Sequence, residues 1–148
     1  IHNLIPLCIE IKKMGFKIKL DTNATNLLQI KKLINLNLLD YIAIDFKAPS
    51  YKFKKIVGVD MYDNTIKTIQ YLIRIDFSFE LRTTINKSLL DENDINEMIK
   101  TISKLGYKKT YYLQNFLETS SNIGNISKSS DIDKNKIDCQ NLTIQYRN

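Results

Sequence analysis

Ionisable and amide side chains recur at the ends of four apolar, β-branched runs of this 148-residue chain. The first two runs end in Asp21-Thr22-Asn23 and in Asp45-Phe46-Lys47, and the next two carry Arg82 and Gln114. In α/β barrels, binding sites form from such groups at the carboxyl ends of neighbouring parallel strands. The pattern therefore predicts a site for a ligand that has carboxylate, ammonium and hydroxyl groups.

The two-residue period of a β-strand decides which of these side chains share a face. Asp45 and Lys47 lie on one face of their strand with Ala43, and the other face is wholly apolar, which predicts that helices cover it. The same period groups further polar side chains of the other strands, namely Lys19 with Asp21, Glu80 with Arg82 and Thr84, and Tyr112 with Gln114. Isolated charges there would cost several kcal/mol each, so we expect them to pair with one another, as a salt-bridged barrel core, or with a charged ligand.

Helices and strands alternate along the chain. Helices are predicted over 3–14, 27–37, 64–73 and 91–105, and strands over 16–20, 41–46, 79–85, 110–114 and 141–147. Gly15 and Gly106 each separate a helix from the next strand, and Thr25 or Asn26 is expected to cap the second helix. Strands separated by helix-length segments predict an α/β fold with parallel strands and right-handed crossovers.

The composition changes after Phe116. Residues 118–140 are rich in Ser, Asn, Lys and Asp and have no sustained periodicity, which predicts a mobile polar surface loop. Residues 141–148 alternate apolar and polar side chains, which predicts a terminal strand at a sheet edge. The expected organisation is therefore a barrel portion at 1–117, the polar loop and the edge strand.

Composition argues against several classes of protein. The net charge is +6, but the lysines form scattered pairs without interleaved arginines or a stacking platform, which favours a solvated surface over a nucleic-acid site. No apolar run approaches the roughly 18 residues of a membrane span, and no secretory signal pattern is present, so a cytoplasmic location is expected. Cys8 and Cys139 lie far apart and the only histidine is His2, so neither a disulfide nor an iron or zinc site made by this segment alone is expected.

Five segments, in order, resemble radical S-adenosylmethionine (SAM) activating enzymes. They are Phe-Lys-Ile-Lys-Leu-Asp-Thr-Asn-Ala-Thr (16–25), Leu-Asp-Tyr-Ile-Ala-Ile-Asp-Phe-Lys-Ala-Pro (39–49), Tyr51 with Gly58, Phe-Glu-Leu-Arg-Thr-Thr (79–84) and Tyr-Leu-Gln-Asn-Phe (112–116). The resemblance covers about residues 1–117 and the final strand. Within the family it favours the activators of anaerobic ribonucleoside-triphosphate reductase, because Phe116 stands where formate-lyase activators place a histidine.

The resemblance implies a partial (βα) barrel that lacks its first two strands here. The family's C-x-x-x-C-x-x-C cluster loop and Gly-Gly-Glu-Pro strand would precede Ile1, so this segment alone is expected to be inactive. The implied cofactors are SAM and a [4Fe-4S] cluster with ligands outside the segment, and reductive cleavage of SAM gives a radical that takes hydrogen from a glycine of the partner. The implied partners are a glycyl-radical enzyme, here anaerobic ribonucleoside-triphosphate reductase, and an electron donor such as flavodoxin or ferredoxin.

Position by position, the resemblance implies a SAM pocket and no catalytic residue. The implied SAM-binding residues are Asp21, Thr22, Asn23, Asp45, Lys47, Arg82 and Gln114. Asp21, Thr22 and Asp45 are implied ligands of a monovalent cation. Ala24 replaces the glycine usual after the Asp-Thr-Asn strand end, so a left-handed turn is not expected there.

Other functions stay open. A 7-carboxy-7-deazaguanine synthase or another activase would share this barrel. Orotidine-phosphate-type decarboxylases also carry Asp-x-Lys, but Ser50 stands in place of their second catalytic carboxylate. A Schiff-base aldolase that uses Lys47 and a non-catalytic barrel fragment are the remaining alternatives.

Overall fold

The chain folds into one parallel sheet with helices between its strands. The computed structural model describes residues 4–118 and 126–147. Its elements are α1 Ile5–Lys13, β1 Lys19–Thr22, α2 Leu27–Asn35, β2 Tyr41–Asp45, α3 Ser50–Val57, α4 Tyr62–Arg74, β3 Phe79–Ile85, α5 Glu92–Lys104, β4 Tyr111–Asn115, a 3-10 turn at Lys134–Lys136 and β5 Ile144–Arg147. The five strands lie in the order β1-β2-β3-β4-β5, and every neighbouring pair is parallel. The predicted α/β fold with parallel strands is confirmed.

The two faces of the sheet differ in chemistry. Right-handed crossovers between neighbouring parallel strands place α2 to α5 on one face. The strand side chains of that face, such as Ile44, Leu81 and Leu113, are completely buried at 0 % exposure and belong to one core with the apolar helix residues. The other face carries the polar side chains, and Asp21 and Thr84 on it are exposed. We call it the open face.

Strand β1 begins later than its predicted span of 16–20. Gly15 has φ +83°, and Phe16 and Lys17 after it are exposed. Pairing with β2 begins only at Lys19, which lies opposite Tyr41. The strand therefore extends to Thr22, and its alternation still places Lys19 and Asp21 on one face.

Helix α3 was not predicted from the sequence. It begins directly after Pro49, buries Phe53 as its one fully covered residue, and ends at Gly58 in the left-handed conformation with φ +84°. Its apolar stripe is short, because it adds only the partly buried Ile56 and Val57 to Phe53. Asn26, one of the two predicted caps, does cap α2, because its side chain accepts a hydrogen bond from the Gln29 amide. Among the described residues, no helix combines the length and apolarity needed to cross a membrane.

Part of the predicted polar loop over 118–140 packs on α5. Residues 119–125 of it lie outside the described residues. Further along, the Asp133 amide donates to Glu92 Oε1 at 2.7 Å, and the Asn96 side chain binds two backbone groups of the segment. Ile132 and Ile137 are buried. The stretch from 126 to 140 is thus anchored by two apolar residues in an otherwise polar sequence. Of the strand predicted over 141–147, only Ile144–Arg147 forms, as β5 at the edge next to β4.

Candidate functional site

Strand register brings most of the predicted residues together on the open face. Because partners in a parallel ladder point the same way, the side chains form three rows across the sheet. From the amino to the carboxyl ends of the strands, the rows are Asp21–Ala43–Glu80, Asp45–Arg82–Tyr112 and Thr84–Gln114–Arg147. The predicted grouping of acidic, cationic and amide groups therefore exists in the fold.

Arg82 is the centre of the site. Its Nε donates to Asp45 Oδ1 at 2.5 Å, and its Nη2 lies 2.9 Å from Asp21 Oδ2. Its side chain is 16 % exposed, whereas that of Asp21 is 52 % exposed. One guanidinium on β3 thus binds carboxylates from both β1 and β2, and it fixes the three strand ends relative to one another.

Lys47 completes the coordination of Asp45. Its Nζ donates to Asp45 Oδ2 at 3.0 Å. Burial alone would raise the pKa of Asp45, but hydrogen bonds from Arg82 and Lys47 outweigh burial and hold that pKa below its ordinary value. Burial would likewise lower the pKa of Arg82, and its hydrogen bond to Asp45 raises that pKa instead. Asp45 and Arg82 are therefore both charged at neutral pH.

A second ion-pair cluster surrounds Glu80. Its carboxylate, 7 % exposed, binds both terminal nitrogens of Arg147 at 3.2 and 3.1 Å. The Arg147 guanidinium also stacks over the Tyr112 ring at 3.2 Å from the centroid. Lys19 Nζ lies 3.7 Å from the same carboxylate, and the Tyr41 hydroxyl donates to it at 3.4 Å. The cluster ties edge strand β5 to β3. Arg147 was not singled out from the sequence, although the alternation of the last strand predicts that it lies on the face opposite to that of Tyr146.

Three predicted residues stand apart from the Arg82 cluster. Thr22 pairs with Ile44 on the helix-covered face, and its hydroxyl accepts from the Ala24 amide at 3.0 Å. The Asn23 side chain accepts from the amide and the hydroxyl of Thr25 beyond the strand end. Gln114 is on the open face, and within the described part of the chain its side chain makes no hydrogen bond.

Ala24 adopts the left-handed turn that its identity had argued against. Its φ is +60° and it is completely buried. Such a conformation costs an L-residue about 1–2 kcal/mol. Two threonines of α4 hold the turn: the Thr68 hydroxyl donates to Ala24 O at 2.7 Å, and the Thr65 hydroxyl donates to Asn23 O at 3.1 Å. The expectation was wrong because these contacts come from a helix distant in sequence.

The carboxyl ends of β3 and β4 form the wall of a separate pocket. Phe116 lies on it, next to a cavity of about 280 Å³ that Lys87 and Ser129 also line. The Phe116 amide donates to Ile85 O at 3.1 Å, which continues the β3–β4 ladder past β4. The position that distinguished two branches of activators in the sequence thus lies at the sheet's carboxyl-terminal rim.

Iron–sulfur ligands are not assembled by the described residues. Cys8 is buried in α1, Cys139 is exposed before β5, and both are free. His2 lies outside 4–118 and 126–147. Within those ranges no three His, Cys, Asp or Glu side chains are arranged to hold a metal ion. A [4Fe-4S] cluster does not fit these residues and would need ligands from elsewhere.

The chain is similar to known proteins in sequence and in fold. No protein-family model matches the chain. Over 104 residues the chain is 35 % identical to a candidate glycyl-radical enzyme activating enzyme of Methanocaldococcus jannaschii, and the match covers 67 % of this chain and 43 % of that relative. The chain thus spans less than half of the relative's length. A solved domain of a pyruvate-formate lyase-activating enzyme from Bacteroides vulgatus superposes with a TM-score of 0.73 at 14 % identity, over 97 % of this chain and 88 % of that domain. The open five-stranded parallel sheet therefore has the fold of that activating-enzyme domain, in line with the predicted partial (βα) barrel.

Proposed function

We propose that the chain is part of a radical SAM activating enzyme and that its open face binds SAM. The observation that carries the proposal is the convergence of Asp21, Asp45, Lys47 and Arg82 from neighbouring parallel strands. The 35 % identity to a relative named as a glycyl-radical enzyme activating enzyme supports it independently. We further assign the protein to the cytoplasm, where the proposed partner classes occur.

The donor set of the open face suits the amino-acid part of SAM. A carboxylate needs a cation, and Lys47 is 40 % exposed with one carboxylate partner. An ammonium group needs an anion, and Asp21 Oδ1 is only loosely paired with Lys19 at 3.6 Å. Gln114 and Thr84 offer hydrogen bonds to hydroxyls or ring nitrogens. The described residues therefore fit SAM, in contrast to the cluster.

The role of this chain is to bind and orient. When bound, SAM together with a [4Fe-4S] cluster supplies a reductive bond cleavage that leads to a glycyl radical on a partner enzyme. Asp45 holds Arg82 and Lys47 at fixed positions, so that their positive charge faces the open side of the sheet. Preorganised charges of this kind attract a carboxylate without the cost of rearranging when it arrives.

We propose anaerobic ribonucleoside-triphosphate reductase as the partner, with flavodoxin or ferredoxin as electron donor. Phe116, at the position where the sequence resemblance gives formate-lyase activators a histidine, supports this choice over a formate lyase. Electron paramagnetic resonance after anaerobic incubation of the full-length enzyme with SAM and a reductant tests it. A glycyl-radical signal on the reductase and none on formate lyase is expected. The opposite preference would contradict the choice of partner, and no signal on either would contradict activation.

SAM binding by calorimetry tests the site itself. Asp45→Ala and Lys47→Ala should each weaken SAM binding about tenfold, which corresponds to about 1.4 kcal/mol. Lys100→Ala is the matched control, because Lys100 pairs with Glu97 on the exposed face of α5. Unchanged affinity in both open-face variants would rule out the proposed site.

A further inference from the structure

Protein groups already engage the cation ligands that the sequence resemblance implies. Asp21 Oδ2 and Asp45 Oδ1 both bind the Arg82 guanidinium, at 2.9 and 2.5 Å. The third implied ligand, Thr22, has its side chain on the helix-covered face, where its hydroxyl accepts from the Ala24 amide. An ion between the two aspartates would have to displace Arg82, and it would gain no third acidic, histidine or cysteine ligand from the described residues.

The charges of the open face also disfavour an added cation. Each carboxylate on this face has two cationic partners. The described cationic side chains in these pairs are Lys19, Lys47, Arg82 and Arg147, and the anionic ones are Asp21, Asp45 and Glu80. Positive charge is thus in excess by one. A free Na⁺ or K⁺ would enter against this excess, because it lacks the carboxylate with which SAM offsets the charge of its own ammonium group.

We infer that Arg82 takes the place of a bound Na⁺ or K⁺ between β1 and β2. A guanidinium offers several N–H donors in a rigid planar fork, so one side chain can bind two carboxylates at once. The positive charge between the ends of β1 and β2 therefore belongs to a side chain of β3. The inference rests on the proposed function only in treating the open face as the SAM site. Its consequence is that the aspartate pair needs no added monovalent cation.

Cation dependence of the chain without SAM tests this inference. Thermal unfolding and ²³Na NMR linewidths are compared in NaCl, KCl and choline chloride at equal ionic strength. The unaltered chain should unfold at the same midpoint in all three salts within about 1 °C. In Arg82→Gln the aspartates lose their shared partner, so Na⁺ and K⁺ should raise the midpoint by about 2–4 °C over choline. The same variant should broaden the ²³Na resonance, and K⁺ should reverse the broadening.

Two further variants complete the test. Arg74→Gln is the matched control, because in the described part of the chain its guanidinium lies over the Tyr71 ring and pairs with no carboxylate. Arg82→Lys keeps the charge but cannot bridge both aspartates, so it should show a smaller response to Na⁺ and decides the matter if Arg82→Gln does not fold. Reversible ²³Na broadening by the unaltered chain that Asp45→Asn abolishes would overturn the inference. So would the absence of a cation response in the Arg82 variants. Neither outcome involves SAM, so neither can be confused with a failure of the proposed function.

Discussion

Asp45 and Arg82 should contribute to the free energy of unfolding as a strongly coupled pair. Their side chains are 28 % and 16 % exposed, and Nε to Oδ1 is 2.5 Å. Exposed pairs contribute about 0.2–1 kcal/mol, and breaking a buried pair costs about 3–5 kcal/mol. At this intermediate burial we expect a coupling free energy of about 1.5–3 kcal/mol. Asp45→Asn alone should lower the unfolding midpoint by about 4–8 °C.

A double-mutant cycle in urea measures this coupling. The four proteins are the unaltered chain, Asp45→Asn, Arg82→Gln and the double variant. The control cycle uses Glu10 and Lys13, whose side chains are 66 % and 67 % exposed, and should give about 0–0.5 kcal/mol. A coupling for Asp45 and Arg82 no larger than the control would refute the central position given to Arg82.

The pH dependence of the same coupling has a definite sign. The folded-state pKa of Asp45 lies below its ordinary value of 3.8, since its hydrogen bonds to Arg82 and Lys47 outweigh the effect of burial. Folding therefore favours the ionised form, and this stabilisation is complete above pH 3.8 and is lost as the pH falls through the lower folded value. A coupling that grows on acidification would contradict this assignment.

Three other positions give measurable outcomes. Asp94→Asn should lower the unfolding free energy in urea by about 2–4 kcal/mol, because the buried carboxylate binds Lys52 Nζ at 2.6 Å and accepts from the amide of the N-cap residue Asp91 in the capping box of α5. A loss below about 1 kcal/mol would count against that role. Ala24→Val should lower the free energy of unfolding by about 2–3 kcal/mol, because a β-branched residue fits poorly at φ +60° in a full core. Ala24→Gly should leave the free energy of unfolding within about 1 kcal/mol of that of the unaltered chain, because glycine adopts this conformation without strain. Equal losses in the two variants would contradict the strain at Ala24. Hydrogen bonds from the Asp133 amide and from Lys87 lower the pKa of Glu92 to about 2. The NMR shift of the Asp133 amide should therefore hold above pH 4.5 and change as the pH falls toward 2, and a titration near 4.5 would contradict these bonds.

The fold was predictable where the local pattern was strong. β3 carries seven residues of regular alternation and formed over Phe79–Ile85, as predicted. β1 was predicted too early because its apolar start reads as a strand, whereas its pairing with β2 sets where it begins. α3 is only eight residues long, and its apolar stripe of Phe53, Ile56 and Val57 spans little more than one turn, too short to stand out in the sequence. Packing and pairing between distant segments decided these two elements.

The open face was predictable from alternation, but its contacts were not. The two-residue period grouped Asp21, Asp45 and Arg82 correctly, since parallel register preserves that period across strands. It could not reveal that Arg82 bridges both aspartates, or that Arg147 reaches Glu80 from the far end of the chain. Those contacts depend on the order of the strands and on side-chain length. The roles of these residues in SAM binding remain predictions.

An NMR titration of the ¹⁵N-labelled chain with SAM shows whether the open face of the sheet, around Arg82 and Lys47, is the binding surface for SAM. We expect saturable amide shifts at Asp45, Lys47, Arg82 and Gln114, with little change at α2 and α5 on the other face. Shifts confined to the helices, or none at millimolar SAM, would contradict it.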